Sequence, residues 1–546
     1  MHKVTFRIEG GEDVIIFAAR GENVLELARK AGVSIDAPCS GNGTCGKCKV
    51  RLLEGGLGGK TESFDGWLLA CESVINGDVV LLLPDTASAY IGGIMTEVFC
   101  TEHEDGSEAG DAGFGLAVDV GTTTVSVLLV DMGSCQILAR SGTGNGQIRY
   151  GADVINRIIE QQKPDGITRL QNAVVKDTLL PIIDDLCAAT GVSQDKIIRL
   201  TVAANTTMNH LLLGVDANSI RIEPYEPAFL EFEPYDPSGI GIELASNAKM
   251  ILAPNIGSYV GGDITAGVLA AATPSGDKIW DRSGMSLLID LGTNGEIVFG
   301  NDEFLMACAC SAGPAFEGGD ISCGMRAANG AIEACTIDKE SMEPGLSVIG
   351  GGSPAGLCGS GLIDVIAELF RSGVINGKGR FSREGKRIRY DDYGVGSYIL
   401  AFAGDSATGR DIAISEVDID NFIRAKGAIF SGIMSMLTPL GFSIMDIDDV
   451  LIAGGIGSGI NIKNAISIGM LPDLPEDRYC YIGNSSLSGA YEMLISQAAE
   501  NKVKEIAGNM TYIDLSTQPG YMDEFIAACF LPHTDETLFP SAVINT

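Results

Sequence analysis

The chain has 546 residues, 45% of them hydrophobic and 20% charged, which is enough for about three domains with separate cores. Its 71 acidic and 37 basic side chains give a formal net charge of −34 and exclude a nucleic-acid-binding protein, because such a surface repels phosphate backbones. No uncharged apolar run of about 18 residues occurs, and the first residues lack the apolar core of a signal peptide, so we expect a cytoplasmic protein without a membrane span.

Residues 1–93 are predicted to form a small β-rich domain. The stretches VTFRIE and VIIFAA alternate between apolar and polar residues on either side of GGED, which indicates a β-hairpin. A helix of about ten residues follows in ENVLELARKAG, and Gly32 fits the position just after its C-terminal cap. A cysteine-rich loop comes next, and KVRLLEGG and GDVVLLLP are predicted strands. This order of elements is typical of a β-grasp ferredoxin.

Four cysteines in this domain have the spacing of an iron–sulfur site. Three follow the pattern C-x5-C-x2-C in PCSGNGTCGKC, and the fourth lies in LLACES: Cys39, Cys45, Cys48 and Cys71. The glycines between them let the loop turn tightly and leave backbone N–H groups free to bond sulfur. The spacing resembles that of adrenodoxin-type and bacterial ferredoxins, which implies a [2Fe–2S] cluster on four thiolates. A zinc knuckle on the same cysteines and a disulfide are the alternatives.

Residues 94–113 are predicted to be a linker, because TEHEDGSEAGDAG is acidic and Gly-rich and has no apolar periodicity. Beyond it, strands and helices alternate, which indicates α/β layers. Two aliphatic strands each lead into an Asp-x-Gly-Thr loop, DVGTTT at 119–124 and DLGTNG at 290–295, and another strand follows each loop. We therefore predict a duplicated α/β domain, with one subdomain at 114–280 and a second at 281–546 that includes a C-terminal tail.

The two loops are predicted to hold a nucleotide. Glycine-rich turns after strands bind phosphate because their N–H groups point inward and no Cβ blocks the approach. The predicted phosphate-binding residues are Gly121, Thr122, Thr123, Gly292, Thr293 and Asn294. Asp119 and Asp290, at the strand ends, are predicted to be catalytic, since a carboxylate there can organise Mg²⁺ or the attacking water. A third loop after a buried strand is predicted to form the floor under the adenosine of ATP: Gly454, Gly455 and Gly457.

Two other nucleotide-binding motifs, the P-loop and the Rossmann fingerprint, do not match the sequence. The segment GGLGGKT has Glu54 at the position where a P-loop needs its first glycine. No G-x-G-x-x-G opens a helix in a βαβ unit, so a Rossmann fingerprint is also excluded. The predicted nucleotide site therefore depends on the duplicated loops.

This arrangement of three loops resembles the acetate and sugar kinase, heat-shock cognate and actin (ASKHA) superfamily. Longer strings narrow the resemblance: NGQIRYGADVINRI, VAANTTMNHLLLG, PNIGSYVGGDITAG, CSAGPAFEGGDISCGMRAANGAI and PAGLCGSGLIDVIAEL. They are similar to segments of the reductive activators of corrinoid proteins, which couple an N-terminal [2Fe–2S] domain to an ASKHA ATPase. The implied fold class is a multidomain α/β chain, with a β-grasp ferredoxin domain followed by a duplicated ASKHA domain.

The resemblance implies one-electron, ATP-dependent reduction of an inactive Co(II) corrinoid to Co(I) in a methyltransferase system. The implied cofactors are a [2Fe–2S] cluster, ATP and Mg²⁺. The implied partners are a corrinoid protein and a low-potential donor such as ferredoxin or flavodoxin, and a homodimer is left open. Ser311, in the small-residue stretch SAGPAFE, is the candidate contact to the corrinoid, and Asn205, Thr206 and Asp263 are weaker candidates for lining the cleft. The alternative functions are an ASKHA small-molecule kinase and an ATP-binding redox sensor.

Overall fold

The computed structural model describes residues 1–8, 13–31, 33, 35, 48–59, 66–83, 113–272, 280, 284–455 and 459–542. The predictions made for Gly32, Cys39, Cys45, Gly457 and all but the last residue of the linker lie outside the described residues. Among the helices of the described part, none is long and apolar enough to cross a bilayer.

The N-terminal part of the chain is a mixed sheet packed against a helix. Its described elements are β1 (His2–Ile8), β2 (Val14–Ala18), α1 (Val24–Lys30), β3 (Lys49–Gly59), β4 (Leu68–Leu69) and β5 (Ser73–Leu83). The sheet order is β2-β1-β5-β3-β4, with β1 and β5 parallel. Val4 and Phe6 of the sheet share a buried core with Leu25 and Leu27 of α1. The predicted hairpin, helix and strands are confirmed.

The rest of the described chain alternates between strands and helices. Its strands are β6 (Phe114–Val120), β7 (Thr124–Asp131), β8 (Gln136–Gly144), β9 (Ile197–Ala204), β10 (Lys249–Leu252), β11 (Ser286–Leu291), β12 (Gly295–Gly300), β13 (Leu305–Cys310), β14 (Ala331–Ile337), β15 (Pro344–Val348), β16 (Gly356–Leu357), β17 (Ile388–Tyr390), β18 (Gly396–Ala401), β19 (Ile412–Ser415), β20 (Asp449–Ala453), β21 (Tyr479–Tyr481) and β22 (Met510–Tyr512). Its α-helices are α2 (Val154–Gln161), α3 (Gly166–Val174), α4 (Leu180–Thr190), α5 (Thr206–Leu213), α6 (Gly262–Ala271), α7 (Gly359–Arg371), α8 (Glu416–Leu437), α9 (Ile462–Ser467), α10 (Ser485–Ile495), α11 (Gln497–Asn509) and α12 (Tyr521–Ala528).

The two large sheets have the same topology. The first has the order β10-β9-β6-β7-β8 and the second the order β21-β20-β11-β12-β13-β22. In each, a three-stranded antiparallel meander is extended by two strands that run parallel to its first strand. The second sheet adds β22 beside β13. This repeat confirms the predicted duplication and places the two Asp-x-Gly-Thr loops at equivalent hairpins.

Helices α6 and α10 lie between the sheets and pack closely on each other. A Cβ at Gly489 would lie 1.9 Å from the carbonyl oxygen of Ala266, so glycine is required for this approach. Helix α10 also contacts the first sheet, because the hydroxyl of Thr201 donates to the carbonyl oxygen of Ala490 at 2.7 Å. A helix from the late part of the chain thus joins the core shared by both sheets, and its N-terminal end lies at the cleft between them.

Candidate functional site

The duplicated loops meet in one cleft of about 390 Å³ between the two sheets. Its lining includes most of the residues predicted from the sequence: Asp119, Gly121, Thr122, Thr123, Asp290, Gly292, Thr293, Asn294, Gly454 and Gly455. The loops touch each other, since the hydroxyl oxygens of Thr123 and Thr293 lie 2.7 Å apart. The structure thus brings together groups that are far apart in the sequence.

The glycines of the cleft have two different roles. A Cβ at Gly121 would lie 2.6 Å from the carbonyl oxygen of Thr124, and one at Gly454 would lie 2.4 Å from that of Leu291. Gly454 also has a φ of +93°, which favours glycine. In contrast, a Cβ at Gly455 would meet nothing within 4 Å, so its backbone borders open space. The first two glycines shape the loops, and Gly455 leaves room for a ligand.

The side chains of Asn145, Arg157 and Asn205 form hydrogen bonds to the first loop. Asn145 donates to the carbonyl oxygen of Gly121 at 2.9 Å, and the guanidinium of Arg157 donates to that of Thr122. Asn205 donates to the hydroxyl of Thr122 at 3.0 Å. Arg157 is fully buried, which makes these bonds costly to break. The string NGQIRYGADVINRI therefore supports the first loop instead of lining the cleft with its charge.

Among the described residues, five with carboxyl groups line the cleft: Asp119, Asp263, Asp290, Glu296 and Glu333. Burial and, to a smaller extent, the nearby Asp290 raise the pKa of Asp119 to about 7, and burial raises that of Asp290 to about 6. Burial and these two neighbours raise the pKa of Asp263 to about 7. Burial, Asp263 and Asp290 raise the pKa of Glu296 well above its usual value. Asn484 opposes the shift at Asp119 by donating to its Oδ2 at 2.8 Å. This concentration of negative charge is suited to a cation.

Glu296 and Asn484 were not predicted, although each has a local signal. Glu296 lies directly opposite Asp290 in the β11–β12 hairpin, whereas Ser126 lies opposite Asp119 in the β6–β7 hairpin. The register of a tight hairpin could have identified this pair. Asn484 is the N-cap of α10 and accepts from the N–H of Leu487, which is a recognisable capping pattern. Its contact with the first sheet depends on tertiary packing.

The weaker candidates for lining the cleft and the candidate contact to the corrinoid lie in different places. Asn205 and Asp263 line the cleft, Asp263 from the first turn of α6. Thr206 does not, because its buried hydroxyl donates to the carbonyl oxygen of Gly257 at 2.6 Å. Ser311 is exposed just beyond the end of β13 and lies outside the cleft lining.

Two of the four predicted cluster cysteines, Cys48 and Cys71, are described, and they converge. The sulfur atoms of Cys48 and Cys71 lie 3.3 Å apart. A disulfide has an S–S distance of about 2.0 Å, so this is a contact between two separate side chains, suited to a shared metal ion. The carbonyl oxygen of Cys71 accepts from Asn23 at 2.8 Å and that of Cys48 accepts from the N–H of Ala70 at 2.7 Å, which fixes both backbones. These two residues fit a thiolate-bound cluster.

Three segments of the chain match known families. Residues 8–76 match the 2Fe-2S iron-sulfur cluster binding domain, residues 114–273 the RACo middle region, and residues 284–543 the C-terminal ASKHA domain of RACo. The corrinoid activation enzyme RamQ of Eubacterium limosum is 32% identical over 76% of this chain and 69% of its own length. A solved reductive activator for a corrinoid, iron-sulfur protein superposes with a TM-score of 0.71 at 37% identity, over 99% of this chain and 100% of that one.

The chain belongs to the family of reductive activators of corrinoid proteins. A more distant relative, the [Co(II) methylated amine-specific corrinoid protein] reductase of Methanosarcina barkeri, is 22% identical over 73% of each chain. As in the family, a [2Fe–2S] domain precedes an ATP-binding ASKHA domain, which confirms the predicted fold class and these two cofactors. The cluster interpretation of the four cysteines is therefore favoured over a zinc knuckle.

Proposed function

We propose that this protein is an ATP-hydrolysing reductase that transfers one electron to a protein-bound Co(II) corrinoid and returns it to Co(I) in a methyltransferase system. The observation that carries the proposal is that one chain of this family combines a [2Fe–2S] domain with a cleft built from two phosphate loops. Relatives at 32% and 22% identity are named a corrinoid activation enzyme and a reductase of a Co(II) corrinoid protein.

The proposed task of ATP is to make an unfavourable electron transfer possible. When bound, the cluster supplies a one-electron carrier. An acceptor whose potential lies about 120 mV below that of the donor is disfavoured about 100-fold, or by about 2.7 kcal/mol. A nucleotide that binds one arrangement of the two sheets better than another supplies a shift of this size.

The carboxyl groups of the cleft make Mg²⁺ necessary for this role. A triphosphate entering beside Asp119, Asp263 and Asp290 would be repelled unless a cation accompanied it. No group of described His, Cys, Asp or Glu residues forms a complete metal site, which fits an ion that arrives with the nucleotide and takes phosphate and water oxygens as ligands. We assign Asp119 and Asp290 the catalytic role of orienting Mg²⁺ or the attacking water, with the loop residues binding phosphate.

The finer parts of the proposal concern the partners. The acceptor is a corrinoid protein, and the donor is a low-potential ferredoxin or flavodoxin. The exposed hydroxyl of Ser311 is the proposed contact to the corrinoid, because small neighbours allow close approach.

The proposed compartment is the cytoplasm, whose reducing conditions keep thiolates available to a cluster. The proposed boundaries stay at 1–93, 94–113, 114–280 and 281–546.

The nature of the ATP products tests this function against its alternatives. The purified protein is incubated anaerobically with Mg·ATP, a reductant and the Co(II) form of its corrinoid protein. We expect ADP and inorganic phosphate, formed faster when the corrinoid protein is present. Phosphorylation of a sugar or carboxylate would support a small-molecule kinase, and nucleotide binding without turnover would support a redox sensor; either result contradicts the proposal.

A further inference from the structure

Residues 222–236, here called the acidic loop, form an exposed segment with an unusual composition. It contains five carboxylates and no lysine or arginine: Glu223, Glu226, Glu231, Glu233 and Asp236. Between them lie the exposed apolar side chains of Ile222, Tyr225 and Leu230, which are 46%, 40% and 44% accessible. Lys504 pairs with Glu231 at 3.6 Å, and the other four carboxylates give the apolar centre a negatively charged border. Such a border is typical of a protein interface that recognises the opposite sign.

The acidic loop has a defined conformation because the body of the protein holds it. Tyr225 has a φ of +59°, and the hydroxyl of Ser258 donates to its carbonyl oxygen. The N–H of Ala228 donates to Nε2 of the buried His210 at 3.0 Å, and the His210 ring stacks on Phe229 at 4.3 Å. A loop fixed in this way loses little conformational entropy when it binds a partner.

His210, which holds the acidic loop, is also connected to the first Asp-x-Gly-Thr loop. His210 belongs to α5, whose N-cap is Asn205. The Asn205 side chain accepts from the N–H of Met208 at 2.9 Å and donates to the hydroxyl of Thr122 at 3.0 Å. A short helix therefore spans from the acidic loop to a residue that lines the nucleotide cleft.

A second connection leads to α6. The carbonyl oxygen of Leu230 accepts from the backbone N–H of Asn255 at 2.8 Å and from its side-chain amide at 3.1 Å. Oδ1 of Asn255 accepts from the N–H of Gly262, the first residue of α6, at 3.2 Å. The next residue of this helix is the cleft residue Asp263. The acidic loop is thus connected to α5, whose N-cap Asn205 lines the cleft, and through Asn255 to α6, whose Asp263 lines it.

The acidic loop also lies near the strand that leads to Ser311. Gly257 is adjacent to Ser258, the anchor of Tyr225, and a Cβ at Gly257 would lie 2.8 Å from the ring of Tyr512. Tyr512 in β22 pairs with Ala307 in β13, and Ser311 directly follows that strand. A partner on the acidic loop would therefore sit beside this edge of the second sheet.

We propose that the acidic loop is a docking surface for the corrinoid protein, which binds it through lysine and arginine side chains around an apolar patch. This inference rests on the proposed function. Charge supports the choice of a basic partner surface, because the chain carries a net charge of −34 and an acidic surface would be repelled by the four carboxylates of the loop other than Glu231, which pairs with Lys504. The anchors through His210 and Asn255 provide the contacts by which docking and nucleotide binding influence each other.

The test compares two double charge reversals in cobalt reduction by the full-length protein. Glu226→Lys with Glu233→Lys changes exposed carboxylates of the acidic loop, and Glu384→Lys with Asp392→Lys makes the same charge change at exposed residues of the C-terminal half. We expect the first variant to raise the KM for the corrinoid protein about tenfold and to flatten its dependence on salt, because a favourable charge pair becomes a repulsive one. The control should keep the wild-type KM. Iron content and circular dichroism establish that both variants are folded.

Each other outcome contradicts the docking proposal. A wild-type KM in the acidic-loop variant, while wild-type protein reduces cobalt, overturns it and leaves the proposed function intact. A changed sedimentation coefficient of the variant together with a wild-type KM would show that the acidic loop joins two copies of this chain. An equal rise of KM in the control would show that only overall charge matters. If wild-type protein itself fails to reduce cobalt, the proposed function fails first.

Discussion

The hydroxyl oxygens of Thr123 and Thr293 lie 2.7 Å apart and join the two halves of the duplication at the cleft. Thr123 belongs to the β6–β7 hairpin of the first sheet, and Thr293 to the equivalent β11–β12 hairpin of the second. Phosphate groups bound by both loops would take the place of this contact. The spacing of the two sheets is therefore expected to respond to the nucleotide.

Replacing Thr293 by Val should weaken ATP binding. The change keeps the size of the side chain but removes the hydroxyl that faces Thr123, and a hydrogen bond to a charged phosphate contributes about 1.5–3 kcal/mol. We expect a rise in the Kd for Mg·ATP of about tenfold or more, measured by isothermal titration calorimetry. Thr408→Val, at an exposed threonine outside the cleft, is the control. Equal Kd values for the two variants would mean that Thr293 does not bind phosphate.

Binding of Mg·ATP should release protons in a pH-dependent way. The raised pKa values of Asp119 and Asp263, about 7 each, mean that these two carboxyl groups are mostly protonated in the unliganded protein near pH 6.5, whereas Asp290, with a pKa of about 6, is mostly ionised there. A cation favours their ionised forms, so binding expels protons there, whereas at about pH 8.5 the same groups are already ionised. Calorimetry in two buffers of different ionisation enthalpy measures the number released. Equal heats in both buffers at about pH 6.5 would contradict the raised pKa values.

Arg157 should be more important for stability than an exposed arginine. Replacing it by Met removes the guanidinium that donates to the carbonyl oxygens of Thr122 and Gly151 and leaves them buried without these donors. We expect a loss of about 3 kcal/mol in the free energy of unfolding of the ATPase domain, measured in urea. Arg389→Met, which breaks the surface ion pair with Asp411, should cost less than about 1 kcal/mol. Similar losses in both variants would show that the first loop does not depend on Arg157.

A substitution that abolishes the iron–sulfur cluster should leave nucleotide binding unchanged. The wild-type protein should contain about two iron and two acid-labile sulfide atoms per chain. Cys48→Ser removes one of two sulfurs that converge at 3.3 Å, so the visible absorption should be lost while the Kd for Mg·ATP is retained. Cys187→Ser, at a half-buried thiol of α4, should keep the absorption. Zinc in place of iron after anaerobic reconstitution would refute the cluster assignment.

Local patterns predicted the elements that present the site. The alternation in β1 and β2, and the aliphatic runs of β6 and β11 before Asp119 and Asp290, are properties of short segments, and the structure has these strands where they were expected. The repeat of Asp-x-Gly-Thr was enough to predict that two hairpins would face each other. Here the sequence signal is strong because phosphate binding requires glycine at fixed positions after a strand.

Other features depend on tertiary packing and have little local signal. Asn484 reaches Asp119 because α10 inserts between the sheets, and nothing around residue 484 indicates a partner 365 positions away. The role of Arg157 is similar, since an arginine in an amphipathic helix is usually solvated, whereas this one is buried beneath the first loop. The short strands β14–β19 were not predicted either.

The most direct test of the central claim is the absorption spectrum of the corrinoid protein during a single anaerobic incubation. The mixture contains this protein with its cluster reduced, the Co(II) corrinoid protein, and either Mg·ATP or no nucleotide. We predict that the Co(II) absorption is replaced by that of Co(I) only when ATP is present, and that Asp290→Asn, which keeps the cluster but loses a charged group of the cleft, largely abolishes the change. Reduction of cobalt at the same rate and to the same extent without ATP would contradict the account.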